Sequence, residues 1–357
     1  MKLDGKSGII SYGASLPVVM ITAEEIGHAH GGDGTPGKQL GVKQKTVASL
    51  DEDAVTLATA AALQALTRWS KFQQKKSAPE DIQAVFIGSE SHPYAVKPSG
   101  TIVKQALGLG HVMALADLQF ACKAGTQALQ ITLSYVQSGL AKYGLAIGAD
   151  TAQSRPGDIL EFTAGAGAAA YIVGSDVSQV IAKCLGTVSV ATDTPDFWRR
   201  PGQEYPEHAG RFSGEPGYFW HVRTAAELLL NELALKPSQL DYCVFHTPNA
   251  KFPQAVAQQL GFTPEQLAPA LIVKEIGNTY AAASPLALAA VLDQAKPKQK
   301  ILVVSYGSGS GSDAFVFETT AALTTYHKHL SETVRQQIER LKPVSYQTYQ
   351  QSHAGKH

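Results

Sequence analysis

Residues 113–137 read MALADLQFACKAGTQALQITLSYVQ, and this stretch decides the fold prediction because its pattern changes near the middle. Ala116, Leu118 and Phe120 alternate along the chain as residues of a strand do. Beyond Cys122, Ala, Leu and Gln dominate, and the apolar residues recur at the spacing of a helix. We therefore predict a strand that leads into a helix, with Cys122 at the junction.

A cysteine at the start of a helix is a candidate nucleophile. The first N–H groups of a helix have no partner within the helix, and their partial positive charge stabilises an anion. The thiolate is such an anion, and it is the reactive form of cysteine. A small buried core residue is the ordinary interpretation of a cysteine seen alone. The rest of the chain therefore has to supply partners for Cys122.

The composition predicts a large core and excludes several kinds of protein. The chain has 357 residues, of which 44% are hydrophobic and 17% charged, which suffices for two domains or one duplicated unit. Because Lys+Arg and Asp+Glu both number 30, no nucleic-acid surface is indicated. The chain has no apolar run long enough to span a membrane. Its three cysteines suggest neither a disulfide framework nor a metal site, and they fit a reducing cytoplasm.

The two halves of the chain repeat the same order of features. In each half a short apolar strand ends just before an acid–base residue, which is Glu90 in the first half and His246 in the second. A polar residue at a helix start follows 32 residues later, at Cys122 and Asn278 respectively. The matching strand segments are 85–88 and 243–245, then 145–148 and 302–305. Glu90 alone would be an ordinary surface carboxylate. A duplicated β-α-β unit would instead bring all four residues to one cleft across a pseudo-twofold axis.

Five motifs in order resemble the hydroxymethylglutaryl-CoA synthase family, most like its archaeal type within the thiolase superfamily. The motifs are FACKAGT at 120–126, GADTAQSRPGDILEFTAGAGAAAYIVG at 148–174, FHTPNAKFP at 245–253, GNTYAAASP at 277–285 and YGSGSGSDAF at 306–315. The resemblance covers roughly residues 8–318, and the tail around 346–356 is also similar.

The resemblance implies an α/β, thiolase-like fold. Two pseudo-twofold-related β-α-β-α-β-β halves would form an α-β-α-β-α layered sandwich. Residues 1–174 would be the N-terminal half with the cysteine and the glutamate. Residues 175–320 would be the C-terminal half with the histidine and the asparagine, and residues 321–357 a C-terminal helix and tail.

The resemblance also implies a reaction, the condensation of acetyl-CoA with acetoacetyl-CoA and water. The products are 3-hydroxy-3-methylglutaryl-CoA and CoA, as in the mevalonate pathway. By family position, Cys122 would carry the acetyl group as a thioester, and Glu90 would remove a proton from its methyl group. His246 would stabilise the developing alkoxide, and Asn278 would hydrogen-bond the acyl carbonyl.

Four further residues are predicted to contact substrate by the same resemblance. Lys251 would reach a CoA phosphate, and Thr163, Ser213 and Ser308 would contact the acyl substrate. No cofactor and no metal is expected, because the reaction uses CoA thioesters as substrates. Related enzymes often carry another basic residue after the lysine, where this chain has Gln254. Three arginines could compensate, namely Arg199, Arg200 and Arg211.

Several alternatives remain open. A ketoacyl-carrier-protein synthase of the third type shares the Cys-His-Asn set but usually lacks the glutamate, so Glu90 argues against it. A carrier-protein-dependent β-branching synthase keeps the glutamate, although the neutral composition shows no basic patch for an acidic carrier. A non-catalytic scaffold in an acyl-CoA channelling complex is the alternative of another class, and the intact four-residue set argues against it.

The resemblance further implies partners. A homodimer is expected from the superfamily. Archaeal-type relatives are thought to assemble with an acetoacetyl-CoA thiolase and a small zinc-ribbon/OB-fold protein, and this protein is expected in the cytoplasm. Neither nucleic acid nor membrane is expected as a partner.

Overall fold

The structure is a computed structural model that describes residues 2–3, 5–73, 79–151, 154–200 and 202–354. Part of the polar segment predicted between residues 71 and 80, and the end of the predicted tail at 355–357, lie outside the described residues. Within the described ranges, no helix combines the length and the apolar character that a membrane crossing requires.

The described chain alternates strands and helices throughout. The strands are β1 Gly8–Ser15, β2 Val19–Thr22, β3 Gln44–Val47, β4 Ile82–Gly88, β5 Ala114–Leu118, β6 Tyr143–Thr151, β7 Ala166–Gly174, β8 Ala182–Ala191, β9 Phe197–Trp198, β10 Glu207–His208, β11 Tyr242–Phe245, β12 Lys300–Val304, β13 Gly311–Thr319 and β14 Lys342–Pro343. The helices are α1 Ala23–Ala29, α2 Thr35–Leu40, α3 Ala54–Gln73, α4 Ser99–Ala106, α5 Ala124–Gln137, α6 Gly210–Phe212, α7 Phe219–Glu232, α8 Lys251–Leu260, α9 Pro264–Leu267, α10 Val273–Ile276, α11 Ala283–Leu292, α12 Ala322–His327, α13 Val334–Glu339 and α14 Tyr346–Ala354.

The large sheet repeats one strand pattern on its two sides. Its strand order within the described chain is β11-β12-β13-β8-β1-β7-β6-β4-β5. On one side β4 and β6 are parallel, and β7 and β1 follow antiparallel. On the other side β11 and β12 are parallel, and β13 and β8 follow antiparallel. The two sides meet where β1 pairs with β8, at Gly8↔Lys183 and Ile9↔Ala182. This arrangement is what the matching motifs predict, while the exact boundaries of the halves stay a prediction.

Helices cover both faces of the sheet on each side. The helix α3 packs on β1 and β7, α7 packs on β8 and β13, and α5 and α11 lie between the two sides. Successive residues of β6 face different cores. Leu145 and Ile147 belong to the core that contains α3, while Ala146 belongs to the core that contains α5. Every residue of α11 is buried, as expected for a helix enclosed on all sides.

The parallel strands place the candidate site residues at sheet edges. Glu90 follows the end of β4, and Asp150 lies at the end of the neighbouring parallel strand β6. In the same way, His246 follows β11, and Ser308 follows its parallel neighbour β12. Residues that converge on a binding site in α/β folds typically follow the carboxyl ends of such strands.

The C-terminal segment is not the single polar helix that its composition suggested. It forms three short helices, α12, α13 and α14, separated by turns and by β14. The strand β14 joins β2 and β3 in a small three-stranded sheet. A proline cannot continue a helix because it lacks the N–H donor, and Pro343 lies in the strand that interrupts the helical segments.

Candidate active site

Cys122 lies in a tight turn between β5 and α5, as the sequence predicts. The helix begins at Ala124, two residues later than the cysteine. The preceding residue, Ala121, has a φ of 43°, a left-handed conformation that alanine rarely adopts. A side chain at Gly88 would collide with the backbone of Ala124, so glycine lets β4 approach the start of the helix. The turn therefore presents Cys122, which is 8% exposed, at the helix N-terminus.

Glu90 and Cys122 lie close enough for each side chain to affect the pKa of the other, and Oε1 of Glu90 is buried without a hydrogen-bond partner among the described residues. Burial and the neighbouring Asp150 raise the pKa of Glu90 to about 8. Burial, together with Glu90 itself, raises the pKa of the Cys122 thiol well above its usual range. The resting pair is therefore a thiol beside a carboxyl group that is poised to change its charge near neutral pH.

Asp150 is a functional residue that the sequence reasoning missed. Its Oδ1 accepts hydrogen bonds from the Ser89 hydroxyl at 2.7 Å, from the Glu90 N–H at 2.8 Å and from the Ser91 N–H and hydroxyl at 3.0 and 2.7 Å. Its Oδ2 accepts the Ala281 N–H at 2.7 Å. Asp150 thus fixes the glutamate loop against a segment of the second half. Its place at the end of a strand beside β4 was the available signal.

His246 lies at the end of β11 and is almost completely buried. Its N–H donates to the Val304 carbonyl at 2.9 Å, and the Tyr218 hydroxyl donates to the His246 carbonyl at 2.7 Å. Burial lowers the pKa of the imidazole to about 3, so the ring is neutral at physiological pH. Its Nδ1 is buried and has no hydrogen-bond partner among the described residues. A neutral imidazole with an unused nitrogen can donate to or accept from a bound substrate.

Asn278 is held by backbone contacts with the first half. Its N–H donates to the Thr163 carbonyl at 2.6 Å, and its carbonyl accepts the Gly165 N–H at 2.8 Å. Its side-chain oxygen accepts the Tyr280 N–H at 2.9 Å. Because the oxygen is engaged, the amide nitrogen is the group that remains for a substrate carbonyl. Tyr280 in turn packs against Cys122, so a single residue, Tyr280, links Asn278 to the predicted nucleophile.

Tyr306 and Asp196 connect the histidine with the cysteine, and the sequence reasoning missed both. The Tyr306 hydroxyl donates to Asp196 at 2.5 Å, and the tyrosine ring lies 6.4 Å from the His246 ring. Asp196 also accepts the Gly309 N–H at 2.8 Å, which fixes the glycine-rich turn. The charge of Asp196 contributes to the raised pKa of Cys122. Within the described chain, no hydrogen bond joins His246 directly to Cys122.

The four predicted substrate contacts lie at different depths. Thr163 is buried, and its carbonyl holds Asn278. Ser308 lies half-buried in the turn after β12, and Ser213 lies half-buried at the start of an irregular turn before α7. Lys251 is the exposed first residue of α8, and its N–H donates to the Asn249 side chain at 2.8 Å. Their roles as substrate contacts stay predictions.

Two further features describe the surroundings of the site. A cavity of about 660 Å³ opens beside Glu90 and is lined by Asp150, Ala121 and Tyr280, among others. The described residues contain no group of three or more His, Cys, Asp or Glu side chains that could hold a metal ion.

Comparisons with known proteins agree on one family. The family model described as the C-terminal part of 3-oxoacyl-[acyl-carrier-protein] synthase III matches residues 230–319. The chain is 49% identical to a hydroxymethylglutaryl-CoA synthase of Pyrococcus horikoshii over 96% of this chain and 94% of the relative. It is 51% identical to a hydroxymethylglutaryl-CoA synthase of Archaeoglobus fulgidus over 96% of this chain and 97% of the relative.

A solved structure extends the similarity to the fold. A structure described as HMG-CoA synthase complexed with CoA superimposes with a TM-score of 0.84 at 23% identity. The match covers 98% of this chain and 90% of that chain. This overlap confirms the predicted α/β, thiolase-like fold.

Proposed function

This chain belongs to the hydroxymethylglutaryl-CoA synthase family, and we propose that the cleft around Cys122 and Glu90 carries out the family's reaction. The protein is an acyl-transferring, carbon–carbon bond-forming enzyme. It condenses acetyl-CoA with acetoacetyl-CoA and water to give 3-hydroxy-3-methylglutaryl-CoA and CoA, the reaction of this family in the mevalonate pathway. The observation that supports the residue assignment is the proximity of a thiol at a helix start to a glutamate with a pKa of about 8, whose buried Oε1 has no hydrogen-bond partner among the described residues.

In the first step, the sulfur of Cys122 attacks the carbonyl carbon of acetyl-CoA. The bond from that carbon to the CoA sulfur breaks, and CoA leaves with the proton of the cysteine thiol. The N–H groups at the start of α5 would stabilise the negative charge that develops on cysteine. The amide nitrogen of Asn278 would hydrogen-bond the acyl carbonyl oxygen.

In the second step, Glu90 removes a proton from the methyl group of the acetyl thioester. A carboxylate with a pKa of about 8 is a much stronger base than an ordinary glutamate. The resulting carbanion adds to the ketone carbon of acetoacetyl-CoA, and the ketone oxygen becomes an alkoxide. The neutral ring of His246 would donate a hydrogen bond to that oxygen, which then takes up a proton. Water finally cleaves the thioester to Cys122 and releases the product.

The remaining contacts follow from position. Lys251, exposed at the start of α8, would bind a CoA phosphate, and Ser213 and Ser308 would contact the acyl substrate together with Thr163. The side chains of the chain itself supply the nucleophile and the acid–base groups, so we propose that no cofactor is needed. Cys122 must remain a free thiol, which a reducing cytoplasm would maintain.

The experiment that tests this function is intact-mass analysis with acetyl-CoA, followed by addition of acetoacetyl-CoA and product analysis. We expect an acetyl adduct on the wild-type protein that converts to 3-hydroxy-3-methylglutaryl-CoA. Cys122→Ala should form no adduct, whereas Glu90→Ala should be acetylated but should not condense. An adduct that is discharged only by an acyl-carrier substrate would favour the carrier-dependent synthases. Absence of any adduct on the wild-type protein would contradict the proposal.

A homodimer through the edge strand β5 is part of this proposal. The strand lies at the end of the sheet, and all five of its residues are half-buried. The loops before and after α4, the second of which leads into β5, expose large apolar side chains, since Tyr94 is 54%, Val112 89% and Val96 fully exposed. Unpaired edges and contiguous apolar surface favour association. Val96→Asp combined with Val112→Asp should shift the molar mass measured by light scattering from dimer to monomer.

Acetoacetyl-CoA has to be supplied by another enzyme. Because the chain resembles the archaeal type, we propose that it associates with an acetoacetyl-CoA thiolase and a small zinc-ribbon/OB-fold protein. Co-purification of these two proteins with a tagged copy of this chain from its own organism would support the association, and their absence would count against it.

A further inference from the structure

The cavity beside Glu90 reaches the acyl position from a side that the predicted CoA contacts do not share. It is lined by the loop of Ser89, Glu90 and Ser91, by Asp150 at the end of β6 and by Tyr280. Lys251, Thr163, Ser213 and Ser308, the four predicted substrate contacts, are not among its described lining residues, whereas Arg199, which the sequence offered as a possible additional CoA contact, is. The cavity therefore borders the active site at Glu90, and not at Lys251, the first residue of α8.

The charges around this cavity exclude CoA. Its outer part carries Asp51, Glu52, Asp53 and Glu204, and Glu90 and Asp150 lie deeper. Among the described lining residues, Arg199 alone is a lysine or arginine. The phosphates of CoA are negatively charged, so a wall of carboxylates repels them. An anionic occupant of this cavity would therefore need Arg199.

The last step of the reaction creates such an anion. Water adds to the thioester carbonyl on Cys122, the carbon–sulfur bond breaks, and the sulfur leaves as the thiol. The acyl group becomes a carboxylate, and one proton passes to solvent through Glu90. A new negative charge thus appears beside Glu90 and Asp150, where it is unfavourable unless a cation compensates it.

Arg199 is positioned to provide that cation. It directly follows β9, whose Phe197 packs against the small apolar cluster of Cys122, Ala164 and Tyr280. Its Nη1 donates to the Gln203 carbonyl at 3.2 Å, which leaves the other face of the guanidinium for a ligand. The positive charge of Arg199 lowers the pKa of Glu90 and so opposes the rise that burial and Asp150 cause. A guanidinium binds a carboxylate through two parallel hydrogen bonds.

We propose that this cavity is the compartment for hydrolysis, which holds the attacking water, and that Arg199 binds the carboxylate released from Cys122. The inference rests on the proposed function, and it adds a second region, the cavity beside Glu90, to the same active site. CoA thioesters occupy the Lys251 side, while water and the new carboxylate occupy the acidic cavity.

The test compares Arg199→Gln with Arg199→Lys and with Arg340→Gln, a matched control at an exposed ion pair that does not line the cavity. Each enzyme is acetylated, mixed with acetoacetyl-CoA and sampled by intact mass. Inhibition by 3-hydroxy-3-methylglutaryl-CoA and by CoA is measured separately. Arg199→Gln should acetylate normally, which also shows that it is folded. It should hydrolyse the condensed adduct about 10- to 100-fold more slowly and bind the product about 10- to 100-fold more weakly.

CoA inhibition should be unchanged in Arg199→Gln, and Arg199→Lys should recover part of the loss. Arg340→Gln should behave like the wild type. Normal adduct decay in Arg199→Gln, with normal product inhibition, would overturn the inference while leaving the function intact. Equal loss of CoA and product inhibition would instead make Arg199 a CoA contact and overturn it as well. A wild-type enzyme that forms no 3-hydroxy-3-methylglutaryl-CoA would overturn the proposed function, and this inference with it.

Discussion

Replacing Asp150 with asparagine should move the pH dependence of condensation to lower pH. Asp150 is the second cause, after burial, of the raised pKa of Glu90, and its Oδ1 accepts the Glu90 N–H at 2.8 Å. Asparagine keeps nearly the same shape but carries no charge. Removing the negative charge makes ionisation of Glu90 easier, so the pKa of Glu90 falls.

The size of the effect follows from the contacts. The pKa of Glu90 is raised from 4.5 to about 8, and part of that rise comes from burial, which the substitution leaves in place. We expect the charge to account for about one pKa unit, equivalent to about 1.4 kcal/mol. The substitution also removes an acceptor, because an amide NH2 would face the Ala281 N–H that now donates to Oδ2. The loss of that buried hydrogen bond should lower the free energy of unfolding by about 1–3 kcal/mol.

The assay is single-turnover transfer from pre-acetylated enzyme to acetoacetyl-CoA between pH 6 and pH 9.5. The wild-type rate should rise through a midpoint near pH 8, where Glu90 becomes the carboxylate. In Asp150→Asn the midpoint should lie about one unit lower. Ser91→Ala is the matched control, because it removes a hydrogen bond to the same carboxylate but keeps the charge. A midpoint that stays in place or moves upward in a folded Asp150→Asn protein would refute the reasoning.

Three further predictions concern stability. Because the folded-state pKa of Glu90 lies above its unfolded value, ionisation of this group weakens folding progressively from about pH 4.5 to about pH 8. At pH 9, Glu90→Gln should therefore unfold at a higher urea concentration than the wild type, with a free energy of unfolding that is larger by about 1–2 kcal/mol. Equal stability of the two proteins at pH 9 would contradict this prediction. Ala121→Gly should raise the free energy of unfolding, measured with urea, by about 0.5–1 kcal/mol, because glycine adopts a φ of 43° without strain. A lower free energy of unfolding would count against backbone strain at this turn. Lys123→Met should cost about 3–5 kcal/mol, because Asp313, which accepts from the Lys123 ammonium at 2.9 Å, would be left buried and unpaired. Simultaneous Asp313→Leu should restore part of that loss, and no recovery would mean that the pair is not what the single variant disrupts.

The duplicated pattern was enough to single out four residues at matching junctions of the two halves, and their catalytic roles stay predictions. Glu90 and His246 each follow a short apolar strand, and Cys122 and Asn278 each follow 32 residues later. The structure places the matching strands in matching positions, with β4 beside β6 and β11 beside β12. A local sequence pattern can locate these residues, because each one lies at the end of a strand or the start of a helix. The residues directly before and after it are enough to show where that element ends or begins.

Asp150, Asp196 and Tyr306 could not be found in this way, because their importance depends on distant parts of the chain. Asp150 accepts from Ala281, 131 residues away, and Asp196 accepts from Tyr306, 110 residues away. No periodicity in the sequence reports such pairs. The C-terminal segment shows the same limit, since its polar composition fitted one helix, whereas pairing between β14 and β2 interrupts it.

The carboxylates around Cys122 favour one order of reaction steps, in which Cys122 is acylated before Glu90 acts as a base. Burial first, and then the charges of Glu90, Asp150 and Asp196, raise the pKa of the Cys122 thiol, so the resting cysteine is protonated and weakly reactive. A substrate that carries its own negative charges would be repelled by the same groups, and the basic Lys251 lies outside them at the start of α8. Attack therefore depends on an acyl thioester that arrives from the Lys251 side and displaces water from the cleft. In the proposed mechanism, the thiol proton leaves with CoA once the acetyl group is on the sulfur, and Glu90 would then act on the methyl group. Burial and the charge of Asp150 would make Glu90 a strong base in the acylated enzyme.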